Sequence, residues 1–424
     1  MTEIRDCTFN SCTSLYSVEI PNSVTEIGKA AFSHCPSLKS VEIPDSVTTI
    51  GEGAFWECTG LTNVEIPNSV TTIGDLAFEG CSGLKSITIP DSVVDIGFGV
   101  FANCDCLSSI SVHKDNPKYI SMNNCIIDNN SKLVLGCKNS IIPDSVIAIG
   151  EGAFHWCGGL TTIEIPKSVN VIGADAFDGC DNLTDIKISK GVTVIGESAF
   201  SDCIRLKSVE IPDRVKSIGR WAFARCTELA GIIIPDGMSV IEDWTFSECA
   251  GLAYIVIPES VTEIGSWAFE GCKNLTTIKI PNSVTKIGQG AFRGCNCLRW
   301  IEIPEKVTVI DRETFRGCSS LTEINIPDKV DVIGQEAFMF CESLMRIEIK
   351  ANVKEIGLNA FQYCSAITEI RLHVKSPEDA VVLLGQAGLF GFERITLFTP
   401  IGTGYAYRHN DFFSKFKEIK PVLN

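Results

Sequence analysis

Phenylalanine recurs every 23 residues along almost the whole chain, and no other feature constrains the fold as strongly. The column runs Phe9, Phe32, Phe55, Phe78 and Phe101, then Phe154, Phe177, Phe200, Phe223, Phe246, Phe269, Phe292, Phe315, Phe338 and Phe361. A fixed period of this length means one supersecondary unit per repeat, stacked into a solenoid in which each unit touches only its neighbours. A single unit buries too little apolar surface to offset the entropy of ordering its backbone, so the units fold only as a stack.

Residues 38–58 illustrate the unit. Val41 and Ile43 alternate with Ser40 and Glu42, the period-two pattern of a half-buried strand, and Pro44, which offers no N–H to a ladder, ends the run. Asp45 and Ser46 make a turn, and residues 47–50 form a second short strand. Gly51 stands where glycine recurs in most repeats, consistent with positive φ or tight packing. Residues 52–57 fit a single helical turn with Ala54, Phe55 and Cys58 turned inward. In three repeats the glycine is replaced by Arg5, Glu242 or Asp311, and there the alanine becomes Thr8, Thr245 or Thr314, a coupling the sequence does not explain.

Twenty cysteines suggest an oxidised scaffold until their positions are read. Fifteen keep the 23-residue ruler: Cys12, Cys35, Cys58, Cys81 and Cys104, then every repeat from Cys157 to Cys364. One cysteine per coil in a fixed column is the pattern of a buried ladder of small hydrophobic thiols, and free thiols are expected. The additional Cys106, Cys125 and Cys137 are candidates for a disulfide or a metal, although none has CxxC spacing.

Between Phe101 and Phe154 the spacing is 53, two periods plus seven. The strand 107–112 is intact, residues 125–135 suggest two strands around an Asn129-Asn130 turn, and the register resumes at Ile142-Pro143. A β-hairpin insert at about 113–141 is expected. After Arg371 the pattern stops. Ser376-Pro377-Glu378-Asp379 is a helix start with a capping residue, proline and early acids, so residues 380–389 are expected as helix. A strand at 394–399, a helix at 404–416 and a strand at 418–423 complete the expected cap. The fold class is therefore a repeat solenoid of short β-strands with single helical turns over residues 1–372, closed by a small α/β C-terminal cap over 373–424.

The repeat Leu-x-x-Ile-x-Ile-Pro-x-Ser-Val-x-x-Ile-Gly-x-x-Ala-Phe-x-x-Cys, as in residues 61–81 and 275–295, resembles the BspA-like (Treponema-type) leucine-rich repeat over roughly residues 2–372. The Asp115-Asn116-Pro117-x-Tyr119 interruption and the C-terminal Thr399-Pro400-x-Gly402-Thr403-x-x-x-Tyr407, with Phe413, Phe416 and Ile419, are similar to that family too. The resemblance implies a leucine-rich-repeat solenoid and a bacterial protein that is secreted or attached to the cell surface. It also implies adhesion to host matrix proteins or other cells, and it carries no shared catalytic residues.

Composition narrows the function classes. The formal charge of −16 argues against nucleic acid and anionic lipid, both of which reward clustered Lys and Arg. No apolar run approaches the roughly 18 residues that cross a bilayer, so no membrane insertion is expected. The N-terminus lacks a basic region followed by an apolar stretch, so no signal peptide is read there. Thr2-Glu3-Ile4 aligns with Thr25-Glu26-Ile27, so the chain begins inside a repeat, as a processed or truncated fragment would. His34, His113, His155, His373 and His409 are scattered, no catalytic set stands out, and neither enzyme activity nor a cofactor or metal is expected.

Binding by a solenoid comes from columns of exposed residues, so the informative positions are those where a polar column turns apolar. Trp221, Trp244 and Trp267 occupy, in three consecutive repeats, the position before Ala/Thr-Phe, and an exposed aromatic strip is expected from them. On the first strand, the outward column Glu19, Glu42, Glu65 and Glu210 changes to Ile233 and Val256, with Tyr254 and Trp300 in the adjacent column. An extracellular protein or glycan ligand is the partner these residues suggest; a passive surface spacer or scaffold and a carbohydrate-binding module are the alternatives.

Overall fold

The computed structural model describes residues 2–422 and forms two compact units, Met1–Val215 and Lys216–Asn424. Each unit is a run of coils with three walls. In the first unit the first-strand wall contains the parallel strands Ser17–Glu19, Ser40–Glu42 and Asn63–Glu65, paired so that Val18, Val41 and Val64 lie side by side. The second-strand wall contains Glu3–Ile4, Glu26–Ile27, Thr49–Ile50, Thr72–Ile73 and Asp95–Ile96 in one parallel sheet. In the second unit the same walls recur, for example Gly231–Ile233 beside Tyr254–Val256 and Val240–Ile241 beside Glu263–Ile264 and Lys286–Ile287.

The third wall corrects one detail of the sequence reading: residues 52–57 form tight turns and not a helical turn. Gly53, Phe55 and Glu57 donate their N–H groups to Asp75, Ala77 and Glu79 of the next coil, at 2.8, 2.8 and 2.7 Å. The intervening Ala54, Trp56 and Cys58 donate within their own segment instead, to the carbonyls of Gly51, Gly53 and Phe55 at 3.2, 3.0 and 3.1 Å. Gly53 and Glu57, both at φ 57°, take the left-handed conformation that turns alternate N–H groups outward. An α-helix would use its N–H groups internally and leave the next coil unbonded.

The core is a stack of rings. Phe32, Phe55 and Phe78 are fully buried, with centroids 5.3 and 5.2 Å apart and planes within 5°. In the second unit the stack runs from Phe223 to Phe361 with spacings of 5.2–5.7 Å. Beside it stands the cysteine column, and all twenty cysteines are free thiols. The Sγ of Cys58 donates to the carbonyl oxygen of Phe32 at 3.1 Å, and Cys249 donates to Phe223 at 3.0 Å. Cysteine thus fills a small apolar slot while supplying a weak donor to a buried carbonyl.

Two points left open by the sequence are settled by packing. Gly51 is required by close approach, since a Cβ there would lie 2.8 Å from the Gly28 carbonyl carbon. Where that glycine is replaced, Thr8, Thr245 and Thr314 donate their hydroxyls to the carbonyls of Arg5, Glu242 and Asp311 at 2.6, 2.8 and 2.8 Å. The coupled threonine therefore gives the substituted residue's carbonyl a side-chain partner.

The insert is larger than one hairpin. Cys125–Asp128 and Lys132–Leu135 pair antiparallel around the expected Asn129-Asn130 turn, and Tyr119–Met122 adds a third strand on the other side. Its two-residue turn, Asn123 and Asn124 at φ 52° and 60°, matches the left-handed pair that a tight hairpin requires. Lys132–Leu135 then pairs parallel with Ala148–Ile149 and rejoins the second-strand wall. Upstream, the Asn116 amide donates to Pro90 and Val93 carbonyls at 2.7 and 2.9 Å and covers the last regular coil. Of the additional cysteines, Cys125 and Cys137 are buried and Cys106 is exposed.

At the C-terminal end, the strands Arg346–Ile349, Glu369–Leu372, Thr396–Thr399 and Glu418–Pro421 form one sheet. The helix Pro377–Gly385 starts as expected, with Asp379 N–H bonded to Ser376 Oγ at 3.1 Å, but ends before 389. It ends early because the Ala387 carbonyl accepts from Phe361 N–H at 2.8 Å, taking the place of the next coil's alanine. The helix expected at 404–416 is broken into Gly404–Arg408 and a 3₁₀ turn at Phe413–Lys415. Between them the Asn410 side chain accepts from Phe412 N–H at 3.0 Å, a local bond that competes with helix. The final strand is Glu418–Pro421, and Leu423, which the expected strand included, lies outside the described residues.

Candidate functional site

All seven residues singled out by the sequence fall in the second unit, where the structure places them on two different walls. Ile233, Tyr254, Val256 and Trp300 project from the first-strand wall; Trp221, Trp244 and Trp267 belong to the turn wall.

On the first-strand wall the pairing Gly231↔Tyr254 and Ile233↔Val256 puts two aliphatic side chains side by side, and Thr277↔Trp300 carries the adjacent column onward. The four are exposed: Ile233 62%, Tyr254 56%, Val256 51% and Trp300 46%. Exposed Ala230 and Ala253 precede the two strands, so the apolar strip is broader than the sequence reading made it. Tyr254 is held in place by what its neighbour lacks. A Cβ on Gly231 would lie 2.1 Å from the Tyr254 ring, so the ring rests directly over the glycine backbone. Sequence reasoning missed Gly231, although a glycine inside a strand is itself a signal of close approach.

The tryptophan strip differs from the expectation of an exposed surface. Trp244 and Trp267 stack at 5.2 Å with planes 15° apart, and Trp221 meets Trp244 edge-on at 5.6 Å. Only Trp221 is exposed, at 41%, while the other two are half-buried by the stack. The far end of the stack is closed as well. The Trp267 ring lies where a Gly290 side chain would be, 2.2 Å from the Cβ position, and the Arg293 guanidinium sits 5.4 Å from the ring centroid. Arg293 also reaches Glu270 at 3.3 Å and the buried Glu313 at 3.5 Å, and Glu313 further pairs with Arg312 at 2.9 Å. Burial pushes the Glu270 carboxyl above its ordinary value, against the pull of Arg293. All three tryptophans have left-handed backbone, with φ of 60°, 62° and 60°, which is costly for bulky residues. Mutual stacking and the Arg293 guanidinium cover part of the Trp244 and Trp267 rings.

The five histidines lie apart. His34 packs on Trp56, His155 on Phe98, His409 on Tyr405, while His113 lies near Asp91 and Asp115 and His373 bonds Glu348 at 2.7 Å. Among the described residues no group of three or more His, Cys, Asp or Glu is arranged to hold a metal ion. No helix among them is long and apolar enough to cross a membrane.

The profile of the BspA type leucine rich repeat region matches in six copies, over residues 2–134, 134–253 and 241–368. No curated protein matches the chain significantly. Among solved structures, a leucine-rich repeat protein from Bacteroides ovatus is 28% identical, covering 98% of this chain and 86% of its own, with a TM-score of 0.45. A leucine rich cell surface protein from Faecalibacterium prausnitzii is 27% identical, covering 89% and 91%, with a TM-score of 0.49. A leucine-rich repeat protein from Eubacterium ventriosum is 23% identical, covering 77% and 82%, with a TM-score of 0.52, and shares the fold.

Proposed function

The chain belongs to the BspA-type leucine-rich repeat family, and on that premise we propose that it is a non-catalytic recognition or adhesion protein. It acts outside the cell or on its surface and binds a host or cell-surface macromolecule through the solenoid. The observation that carries this reading is the apolar strip on the first-strand wall, where Ile233, Tyr254, Val256 and Trp300 stay exposed in columns that elsewhere hold mostly charged or polar residues. Exposed apolar clusters with aromatic residues are the composition of binding hot spots. The tryptophan stack supports a carbohydrate platform less well, because Trp244 and Trp267 cover one another's faces.

The test is capture of purified matrix proteins, serum proteins and glycans by the folded chain, beside two variants. One carries Tyr254→Ser and Trp300→Ser; the other carries Trp221→Ala. Loss of capture in the first variant alone supports the strip as the site. Capture that both variants retain removes the strip from the reading, and no capture by the parent chain favours a passive spacer.

A further inference from the structure

In the first unit the break in the repeat is also a break in the core. Phe78 stacks on Phe101 at 5.6 Å and Phe154 on Phe177 at 5.0 Å. Between the two stacks Gly136 of the insert takes the place of a ring, its Cβ position lying 2.0 Å from Phe154 Cε1. A cavity of about 10 Å³ remains beside it, lined by Cys104 and Cys157 of the column and by Cys137 of the insert.

Cys157 departs from the rule of its column. Cys104 and Cys180, on either side, donate to the Phe78 and Phe154 carbonyls at 3.2 and 3.1 Å. Among the described residues the Cys157 thiol donates to no such carbonyl, and part of its surface is exposed. The insert runs directly past it. Gly136 N–H donates to the Ala153 carbonyl at 2.8 Å, and Lys138 Cβ comes within 3.0 Å of the Cβ position on Gly159. Cys137, between these two anchors, is held opposite residues 154–158. Neighbouring column thiols stand in parallel on successive coils, whereas these two reach one cavity from different segments. Cys125 is not so placed: Ile126 pairs with Leu135, which puts Cys125 and Cys137 on opposite faces of the meander, and only Cys137 joins the core of Phe101 and Leu107.

From this geometry we propose that Cys137 and Cys157 form a disulfide when the folded protein meets a small-molecule disulfide oxidant, a covalent staple between the insert and the coil where the register resumes. The Cys157 thiolate attacks one sulfur of an oxidant such as oxidised glutathione, breaks its S–S bond and releases one glutathione thiolate. The Cys137 thiolate then attacks the mixed disulfide at Cys157 and releases the second. The two protons lost by the cysteines are taken up by the two released thiolates, so one disulfide is reduced as another forms. Burial and the neighbouring Cys137 sulfur push the Cys157 thiol up to about 12, so the exchange is slow at neutral pH and quickens roughly tenfold per pH unit. The staple is independent of the recognition reading.

The test uses the whole chain carrying Cys7→Ser/Cys12→Ser/Cys297→Ser, which leaves Cys106 and Cys125 as competing thiols. It is kept folded in oxidised glutathione, alkylated, digested with trypsin and mapped by mass spectrometry without reduction. Cleavage after Lys132, Lys138 and Lys167 puts Cys125, Cys137 and Cys157 on separate peptides. The expected product joins peptides 133–138 and 139–167 and forms roughly tenfold faster at pH 8 than at pH 7. It is expected to be absent when Cys137→Ala or Cys157→Ala is added, and to raise the midpoint of thermal unfolding by roughly 5 °C, reversibly with dithiothreitol.

Cys137 that stays reduced in the folded chain, or that pairs with Cys104, Cys106 or Cys125, would overturn the proposal. A link between Cys137 and Cys157 that appears only in denaturant, or that lowers the unfolding midpoint, would overturn it as well, since the native fold would then not hold the two thiols ready for the bond.

Discussion

The thiol of Cys295 donates to the carbonyl oxygen of Phe269, 3.2 Å away in the preceding coil. The bond repeats along the cysteine column at 3.0–3.3 Å, for instance from Cys81 to Phe55 and from Cys249 to Phe223. It ties the thiol to its protonated form, because only S–H can donate. Burial acts in the same direction and raises the thiols of Cys58, Cys249 and Cys318 to about 12 from an ordinary 9.0.

Thiol labelling under native conditions should separate two populations. Cys7, Cys12, Cys106 and Cys297 are exposed and are expected to react rapidly with an aromatic disulfide reagent at pH 8. The buried column is expected to react only after denaturant is added, because the nucleophile is the thiolate and burial suppresses it. Rapid labelling of the column in the native protein would contradict the bonded arrangement.

The same column predicts loss of stability in alkali. These thiols have a folded pKa above the unfolded one, so their contribution is complete below about 9 and is lost as pH rises from there towards about 12. Over that window the unfolded chain binds fewer protons than the native one, and the free energy of unfolding therefore falls. Thermal melts between pH 8 and pH 11 should show a declining midpoint, and a flat profile would count against it.

Phe292 is fully buried between Phe269 and Phe315, at centroid distances of 5.4 and 5.6 Å. Phe292→Ala is expected to cost about 3–5 kcal/mol, since the rings on either side are fixed by their own coils and collapse poorly into the gap. Urea unfolding of the variant provides the measurement.

Gly290 lies under the Trp267 ring and has φ of 61°. Gly290→Ala should both strain the backbone and lift the ring, lowering stability by about 1–3 kcal/mol and shifting tryptophan fluorescence. Gly294 has a similar φ of 70°, yet a Cβ there would meet nothing nearer than 3.7 Å. Gly294→Ala is expected to cost less, because it adds backbone strain without a clash.

The Tyr407 hydroxyl, in the cap, donates to the Val374 carbonyl at 2.7 Å from a fully buried ring. Tyr407→Phe should cost about 1 kcal/mol, the usual worth of such a bond, and leave far-ultraviolet dichroism unchanged.

The coil was legible in the sequence because a repeated unit states its pattern many times: Phe, Cys, Ile and Pro each fall in a column, and chance cannot sustain that over residues 2–372. The turn wall was not, because residues 52–57 are compatible with a helical turn when considered alone. What excludes the helix is the need of Gly53, Phe55 and Glu57 to bond the neighbouring coil, a non-local demand. The strand Tyr119–Met122 was missed for a similar reason, since its partner Cys125–Asp128 lies across a two-residue turn and little alternation marks the short segment.

The candidate surface was legible in part. A departure from a polar column is visible in sequence, and it located Ile233, Tyr254, Val256 and Trp300 correctly as outward-facing residues. Whether an aromatic column is open or covered depends on ring tilt and on the next coil. The half-burial of Trp244 and Trp267 and the roles of Gly231, Gly290 and Arg293 therefore emerged only from the packing.

Between regular coils, the bonds span nearly one repeat of chain. Thr285 Oγ1 reaches the Thr262 carbonyl 23 residues back, and Cys295 Sγ reaches Phe269 across 26 residues. Loss or duplication of one whole coil leaves every such bond with a partner at the junction, whereas loss of a single residue misaligns all three walls at once. Recombination between repeats is thus the change in length that this architecture absorbs without repair. The one irregular spacing, between Phe101 and Phe154, needed a three-stranded meander and the Asn116 amide to bring the chain back into register.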